Sequence, residues 1–309
     1  MSSRIFLTLI GPSVYSCAPV LQKSKLRRAL LLSNIISFLV PFAANSSASA
    51  HARLLPFSYG NETLEQEQVV IEQALDARSA IVIDGDGRRA WDPQFRMQFE
   101  WGYGISDRLT LGVALVLSSA PGSSMFLEGT KQRLHARLVD QSHSPVEIGF
   151  SFEVVEFRTV LAFEERLVLQ RRWGRFLIIS NTAVAEELPS YHPVVTWIID
   201  QTVGPAVRVS EHMHLAAEYW LRVGIGEHEM QKQLSNADTA VMHSDPDIGL
   251  DTHHFIGPAI TFEWHRFWWS TAAYVRLDPM PAETDLVTSR RLADPYGRIW
   301  VRSVLGLVL

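Results

Sequence analysis

The sequence predicts an all-β chain, a transmembrane antiparallel up-and-down β-barrel of about twelve strands. Three observations predict this fold. Apolar and polar residues alternate along many segments, charged residues stand in the middle of the polar faces, and short connections alternate with long ones. Hydrophobic residues make up 47% of the chain, yet no run after residue 52 approaches the roughly 20 apolar residues that a spanning helix needs. The periodicity of the sequence therefore decides the fold class.

The alternation has a period of two residues, which is the period of a β-strand whose two faces meet different surroundings. Apolar residues occupy every second position from Phe95 to Tyr103, and again from Ile299 to Leu309 at the end of the chain. Most such segments have about the 9–11 residues that cross a bilayer. Strands are predicted at 66–75, 95–104, 109–118, 131–139, 146–155, 160–170, 175–185, 196–209, 213–223, 254–264, 267–277 and 297–309.

The polar faces carry ionisable residues in mid-strand, which suits a wet or ion-paired lumen better than the core of a soluble β-sandwich. If their signs segregate, an arginine wall would select small anions. If the signs interleave, the residues would pair across the lumen and seal it. The predicted lumen-lining residues, a candidate solute path, are Arg96, Glu100, Arg133, His135, Arg137, Glu147, Glu153, Arg208, Glu218, Arg222, Glu263, Arg276 and Arg302.

The connections between predicted strands differ in length by parity. Those around 105–108, 140–145, 171–174, 210–212 and 265–266 are tight, whereas all the others except 156–158 are long. Short periplasmic turns and long external loops are typical of an outer-membrane barrel with both termini in the periplasm. Aromatic residues also collect beside the tight turns, where they are predicted to form the periplasmic girdle: Trp101, Tyr103, Trp173, Phe176, Trp264, Phe267, Trp268 and Trp269.

One residue departs from the apolar register. Glu165 falls among Leu161, Leu167 and other apolar residues of its segment, and a lipid-facing carboxylate in mid-strand is costly. A β-bulge near Glu164 would turn it inward. The sequence leaves the two placements open.

Residues 1–52 are predicted to be an export signal with an upstream extension. Four basic residues between positions 23 and 28 precede the apolar segment 29–42, and 45–52 offers A-x-A cleavage sites after Ala50 or Ala52. A single membrane anchor is the alternative reading of this segment. The barrel domain is accordingly predicted to span 53–309.

Removal of this signal changes the charge and the thiol content. Residues 1–52 hold five basic and no acidic residues, so the remainder carries 23 basic against 33 acidic residues, a formal charge near −10. Such a chain lacks the basic footprint that nucleic acid requires. The single cysteine, Cys17, is lost with the signal, and we predict no disulfide, cofactor or metal.

Three hairpins carry a family resemblance. Their recurring unit is an aromatic-glycine strand, a Ser/Thr-Asp-Arg-Leu turn and an x-Leu-Gly return strand. The segments are 101–115 (WGYGISDRLTLGVAL), 204–220 (GPAVRVSEHMHLAAEYW) and 257–275 (GPAITFEWHRFWWSTAAYV). They resemble a family of Gram-negative outer-membrane barrels that are porin-like or transporters. The resemblance implies about twelve strands and passive diffusion of small solutes, and it supplies no catalytic residues.

Two other kinds of chemistry were weighed. The loop 224–253 contains His228, His243 and several carboxylates, but their spacing fits no closed metal-ligand pattern. The segment 84–87 resembles the start of a calcium loop without its downstream Glu. The ingredients of a Ser/His/acid site are present without a nucleophile-elbow context: His135, His212, His214, Ser151, Ser180 and Ser303.

The function that we predict from the sequence is a porin-like outer-membrane channel or transporter for small hydrophilic solutes. The alternatives are a lipid-modifying outer-membrane enzyme, such as an acyl hydrolase, and a closed structural or surface-interaction barrel that uses the loop 224–253. The expected partners are outer-membrane lipids, the barrel-assembly machinery during biogenesis and small solutes. No catalytic residue is predicted.

Overall fold

A computed structural model describes residues 53–83, 89–119, 124–190, 195–225, 252–278, 293–294 and 297–309. Twelve long strands and one two-residue strand account for most of them. No helix among these residues is long and apolar enough to span a membrane. The strands are β1 Val69–Ile83, β2 Arg89–Ser106, β3 Leu109–Ser118, β4 Phe126–Val139, β5 Glu147–Phe157, β6 Val160–Trp173, β7 Phe176–Pro189, β8 Thr196–Ser210, β9 Met213–Ile225, β10 Thr252–Trp264, β11 Phe267–Arg276, β12 Ala293–Asp294 and β13 Ile299–Val308.

The strands form one closed antiparallel sheet. Each strand from β2 to β10 pairs with its sequence neighbours, β11 pairs with β10 and β13, and β1 pairs with both β2 and β13. The closing seam runs from Val70 opposite Val308 to Arg78 opposite Trp300. The two-residue β12 adds only to the far end of β1. The predicted all-β barrel of about twelve strands is confirmed, and closure leaves no sheet edge to be satisfied in lipid.

All twelve predicted strands are present, and several are longer than predicted at the end away from the tight turns. β1 continues to Ile83, β2 already begins at Arg89, and β4 begins at Phe126. Polar residues such as Asp76 and Asp92 interrupt the apolar pattern there. Backbone pairing does not need an apolar outer face once a strand has left the hydrocarbon layer, so the periodicity underestimates these strands.

The two faces of the wall have opposite character. Large apolar side chains are exposed on the outer face, as in β3, where Leu111, Val113 and Leu115 are each about two-fifths exposed. Polar side chains face inward and are buried. Trp101, Trp173 and Trp264 lie exposed beside the tight turns, as predicted for a girdle.

Trp268 was assigned wrongly to that girdle. Its side chain is 1% exposed, because the three consecutive aromatics 267–269 must alternate between the two faces of β11. The middle one therefore points into the lumen, where it packs with Leu64, Val70 and Val308.

Glu165 lies on the outer face. The pairing of β6 with β5 and with β7 continues through Glu165 without a shift, opposite Phe152 on one side and Val184 on the other. The side chain is exposed beside the exposed Leu161 and Leu167. The bulge considered from the sequence is therefore absent, and the carboxylate remains in the outward register.

Candidate functional site in the barrel lumen

The chain segment before β1 folds into the lumen. We call residues 53–64 the strap. Leu55, Ser58 and Asn61 of the strap are fully buried, although they lie outside every strand. The strap touches inward-facing residues around the circumference of the wall, with side-chain hydrogen bonds, ion pairs or ring contacts to β1, β3, β4, β6, β7, β8, β9, β10, β11 and β13. It therefore crosses the lumen.

Phe57 is held in an aromatic box. Its ring stacks on Trp220 with centroids 4.7 Å apart and meets the edges of Tyr274 and Trp300 at 4.9 and 5.4 Å. The Arg302 guanidinium lies 4.6 Å from the same ring centroid. Offset and edge contacts between rings are favourable beyond their buried area. The inward faces of β9, β11 and β13 thus form a socket for one strap side chain.

Tyr59 is held by arginines instead. The guanidinium carbons of Arg53, Arg133 and Arg166 lie 3.9, 4.4 and 4.7 Å from its ring centroid. Cations within about 6 Å of an aromatic face are attracted by its quadrupole. The amide of Asn181 also binds both backbone groups of Tyr59, as acceptor at 2.7 Å and donor at 3.0 Å. This second socket draws on the strap itself and on β4, β6 and β7.

A buried carboxylate lies between the two sockets. Glu218 is fully buried, and it accepts hydrogen bonds from the Ser58 and Tyr274 hydroxyls and from the Phe57 backbone N–H. The Ser58 hydroxyl also lies 2.8 Å from the Thr202 hydroxyl. The strap thereby supplies donors to a wall carboxylate that is shielded from water.

The rest of the strap leads back toward the tight turns. Asn61 N–H donates to Gln170 at 3.1 Å, and the Thr63 hydroxyl donates to the backbone oxygen of Asp107 in the β2–β3 turn. Glycines permit the close approach of wall and chain here. A Cβ on Gly104 would lie 1.9 Å from the backbone oxygen of Glu65, so no other residue fits that position without movement of the backbone.

The predicted lumen-lining residues lie on the inward side of the wall, and most have local partners. The ion pairs join strands that are neighbours or next but one in the wall, rather than strands across the lumen. They are Arg96–Glu128, Arg133–Glu100, Lys131–Glu153, Arg222–Asp200, His214–Glu263, Arg302–Asp76 and, at the end of β11, Arg276–Asp278.

The remaining predicted residues have different surroundings. Glu147 accepts from Gln170 at 3.1 Å, and Arg137 donates to the backbone oxygen of Asp107 at 2.7 Å. Glu218 is bound to the strap, and His135 is buried beside the strap. Arg208 is exposed near the β8–β9 turn. The role of the whole set as a solute path remains a prediction.

Neither alternative for the lumen fits this arrangement. The signs interleave, so no arginine wall forms. The charges pair along the wall, so they do not seal the lumen across its width. The strap fills the space instead. Cross-strand pairs are short-range contacts on one face of a sheet, which is why interleaved charges pair sideways before they reach across.

The residues considered for hydrolytic chemistry are separated by the fold. His135 and Ser151 lie opposite each other on the inward faces of β4 and β5, but neither ring nitrogen of His135 has a hydrogen-bond partner among the described residues. Ser303 accepts from Trp269 on the outer face, and His212 stacks on Trp264 at a turn. The described residues therefore contain no hydrogen-bonded Ser–His pair from the predicted set.

The metal hypotheses fall mostly outside the described residues. Positions 84–87 and most of the loop 224–253 are not described. Within the described ranges, no group of three or more His, Cys, Asp or Glu side chains is arranged to hold an ion. His253 and His254, at the end of that loop, bind Asp278 and Tyr219 respectively.

The strap was not predicted from the sequence. A signal was present, because Leu54, Leu55, Phe57 and Tyr59 stand between the cleavage sites and the first strand, in a segment with Pro56 and Gly60 that does not alternate. Apolar and aromatic residues without strand periodicity next to a barrel need burial elsewhere. The lumen is the only interior that an up-and-down barrel offers.

Comparison with known proteins bears on the fold. No protein-family model and no curated protein sequence matches the chain. A crystallised outer membrane channel from Pseudomonas putida F1 is 8% identical over 81% of this chain and 98% of its own, with a TM-score of 0.50. The KdgM porin matches over 76% and 97% of the two chains at 9% identity, and LpxR from Salmonella typhimurium over 77% and 99% at 8%, with TM-scores of 0.40 and 0.42.

At these identities the likeness concerns the fold alone. Of the three structures named above, the channel from Pseudomonas putida F1 is the one whose TM-score supports a comparison of architecture. The predicted resemblance to twelve-stranded outer-membrane barrels is confirmed to that extent. The chain has the fold of a closed outer-membrane barrel, with a strap of its own sequence across the lumen.

Proposed function

We propose that the chain is an outer-membrane channel for small hydrophilic solutes, closed here by its own strap and opened when the strap leaves the lumen. The observation that carries the proposal is the way in which the strap is held. Every hydrogen bond described between the strap and a strand involves a side chain. A segment that is held by side chains leaves without breaking the backbone ladder of the barrel.

The location follows from the two faces of the wall. An apolar outer face with exposed aromatics at the tight turns suits a bilayer, and a charged inner face suits water. The strap and the last strand both end on the side of the tight turns, which we assign to the periplasm. The outer membrane channel from Pseudomonas putida F1, which is similar in fold, supports the outer-membrane location.

The character of the solute follows from the wall that remains after the strap has left. The inward side chains of Arg133, Arg166 and Arg302 would lose Phe57 or Tyr59 as a neighbour and face water beside their carboxylate partners. An interleaved set of fixed charges favours small polar solutes over apolar ones. It does not favour a single sign of charge.

A reversible cross-link tests the proposal. Ser58 is near-isosteric with cysteine, Thr202 differs from it by one methyl group, and their hydroxyl oxygens lie 2.8 Å apart, close enough for an S–S bond of about 2.05 Å after small adjustment. We expect the oxidised double variant S58C/T202C to show no conductance steps in planar bilayers. We expect reduction with dithiothreitol to restore steps, and a chain without residues 53–64 to stay open under both conditions.

The two single-cysteine variants are the matched controls, since each removes one hydroxyl without forming the bridge. If the oxidised and reduced double variants conduct alike, the strap is not the gate. If the chain without the strap shows no conductance although it is folded, the channel proposal itself is wrong.

A further inference from the structure

A partly open cavity of about 80 Å³ lies between the strap and the wall. Arg53 and Glu62 border it from the strap, and Glu72, Arg133, His135 and Trp268 border it from the wall. A water-sized group needs only about 10–15 Å³ on this measure. The cavity therefore has room for a small polyatomic ligand.

Hydrogen-bond donors that border the cavity have no acceptor. Arg53 Nε and Nη1, Arg133 Nη1 and Trp268 Nε1 are buried and make no hydrogen bond to the described residues, and neither do the ring nitrogens of His135. Arg53 Nη1 has only a long ion pair, to Glu72. An unsatisfied buried donor costs free energy, and more so when it is charged. Three different elements of the chain therefore present unused donors to one small space.

The carboxylates at the cavity already have partners. Glu62 accepts from Gln170 at 2.8 Å and pairs with Arg172 at 3.4 Å. Glu72 lies 3.9 Å from Arg53 Nη1. Glu100, next to the cavity, takes the other terminal nitrogen of Arg133. Among the lining residues, the buried atoms that make no hydrogen bond are nitrogens of Arg53, Arg133, His135 and Trp268, and none is a carboxylate oxygen.

We propose that this cavity binds a small oxyanion, a carboxylate or phosphate group held by Arg53, Arg133 and Trp268. Guanidinium groups offer two parallel N–H donors to such an anion, and the indole N–H supplies a third direction. The paired carboxylates keep the site near electroneutrality, which favours a singly charged anion of small size.

The site also links the ligand to the gate, an extension that rests on the proposed function. Arg53 belongs to the strap, whereas Arg133 and Trp268 belong to β4 and β11. An anion bound by both sides exists only while the strap is in place. By linkage it stabilises the closed state over the open one, in proportion to its concentration above the dissociation constant.

Binding is tested on the folded full-length mature chain in detergent, by isothermal titration with sodium phosphate and separately with sodium acetate at constant ionic strength. We expect saturable binding of at least one of them. We expect Arg53→Gln and Trp268→Phe each to weaken binding about tenfold or more, as loss of a charged or buried donor does. Arg53 lies in the strap, so its variant leaves every strand unchanged.

Arg208→Gln is the matched control, because Arg208 is an inward arginine that is exposed near a tight turn away from the cavity. It is expected to bind as the unmodified chain does. Absence of saturable binding of either anion overturns the proposal and leaves a cavity that holds water only. Equal binding by Arg53→Gln and the unmodified chain overturns it as well, because the anion then lies elsewhere.

The extension to gating has its own measurement. Phosphate or acetate is expected to lower the frequency of conductance steps for the unmodified chain and to have no such effect on Arg53→Gln. If binding is found and the steps do not respond, the link to the gate is wrong while the site stands. If no variant conducts but the anion binds, the proposed function fails and the site survives.

Discussion

Phe57 and Tyr59 differ by one hydroxyl, and the lumen surrounds them with opposite chemistry. Phe57 meets three aromatic rings from the wall, whereas Tyr59 lies among three guanidinium groups. The residue between them, Ser58, binds the buried Glu218. Three consecutive side chains thus have three different surroundings. A shift of the strap by one residue would place each of them in the surroundings of a neighbour.

The aromatic socket is expected to contribute most to strap retention, because truncation of a fully buried Phe to Ala costs about 3–5 kcal/mol and the partly buried Phe57 would lose a large share of that. Phe57→Ala is therefore expected to raise the frequency of conductance steps by more than tenfold, since about 1.4 kcal/mol corresponds to a factor of ten. Single-channel recording in planar bilayers measures this frequency.

Phe150→Ala is the control for this change. Phe150 lies on the outer face of β5 and is 37% exposed, so its truncation alters the lipid-facing surface and leaves the lumen as it is. An equal rise in both variants would show that the effect comes from general loosening of the barrel.

At the end of the barrel away from the tight turns, Asp278 forms hydrogen bonds between neighbouring strands. This residue follows β11 and accepts from the His254 N–H of β10 at 2.8 Å and from Arg276 Nε at 2.5 Å. Burial raises the pKa of Asp278, but the His254 backbone N–H and the Arg276 guanidinium outweigh it and hold the pKa below its ordinary value. The Asp278 carboxylate therefore joins the ends of β10 and β11 that lie away from their tight turn.

The sign of the pH dependence follows from this lowered pKa. The stabilisation is fully present above the pKa that Asp278 has in the unfolded chain, and it is lost as pH falls through the lower folded value. We expect Asp278→Asn to lower the temperature at which the gel mobility changes at pH 7, and the difference from the unmodified chain to shrink as pH falls below about 4.

Glu211→Gln serves as the comparison, because Glu211 is exposed at the β8–β9 turn on the opposite end. Its effect on the same temperature is expected to be small at every pH. A difference for Asp278→Asn that persists undiminished at low pH would mean that the carboxylate charge is not what joins the strands.

The strands were predictable because each carries its own evidence in a period of two. In β3, for example, Val113 and Leu115 alternate with their sequence neighbours, and this local pattern is enough to show that one face is apolar. The strap carries no such period, since its side chains are satisfied by residues far away in the chain, such as Glu218 and Trp300. The direction of Trp268 was missed for a related reason, because a run of aromatics hides which of them faces inward.

The pairing of the lumen charges was predictable only in part. Sequence placed Arg133, Glu100 and their neighbours on one face, and the structure agrees with that face. Their partners depend on register between strands, which a single sequence does not fix. The donor-rich cavity could not be predicted at all, because it forms only where the strap approaches β4 and β11.

At the scale of the whole molecule, closure of the barrel is independent of the strap. The seam between β1 and β13 pairs every residue from Val70 to Arg78, and it involves no residue of 53–64. A chain that lacks residues 53–64 is therefore expected to reach the outer membrane and to keep a heat-dependent gel mobility. Its unfolding midpoint is expected to fall, because the inward aromatic and arginine sockets are left empty.

Cell fractionation and gel mobility with and without heating measure these two properties. Arg108→Gln removes one exposed charge at the β2–β3 turn, and this variant is a suitable control for expression and export. If the shortened chain is instead found unfolded in the periplasm, the strap is required for closure, and the lumen of this barrel is a core rather than a passage.

The reach of the strap along the chain has a consequence for the order of biogenesis. The hydroxyl of Thr261 binds the backbone oxygen of Leu54, 207 positions earlier, and Trp300 of the last strand completes the Phe57 socket. Neither of these two contacts can form until β10 and β13 have been added, and contacts of such sequence separation form late. The strap, which is synthesised before the strands, is thus the last segment of the barrel domain to reach its native position. Each newly assembled molecule therefore passes through a stage in which the strap is not yet in the lumen.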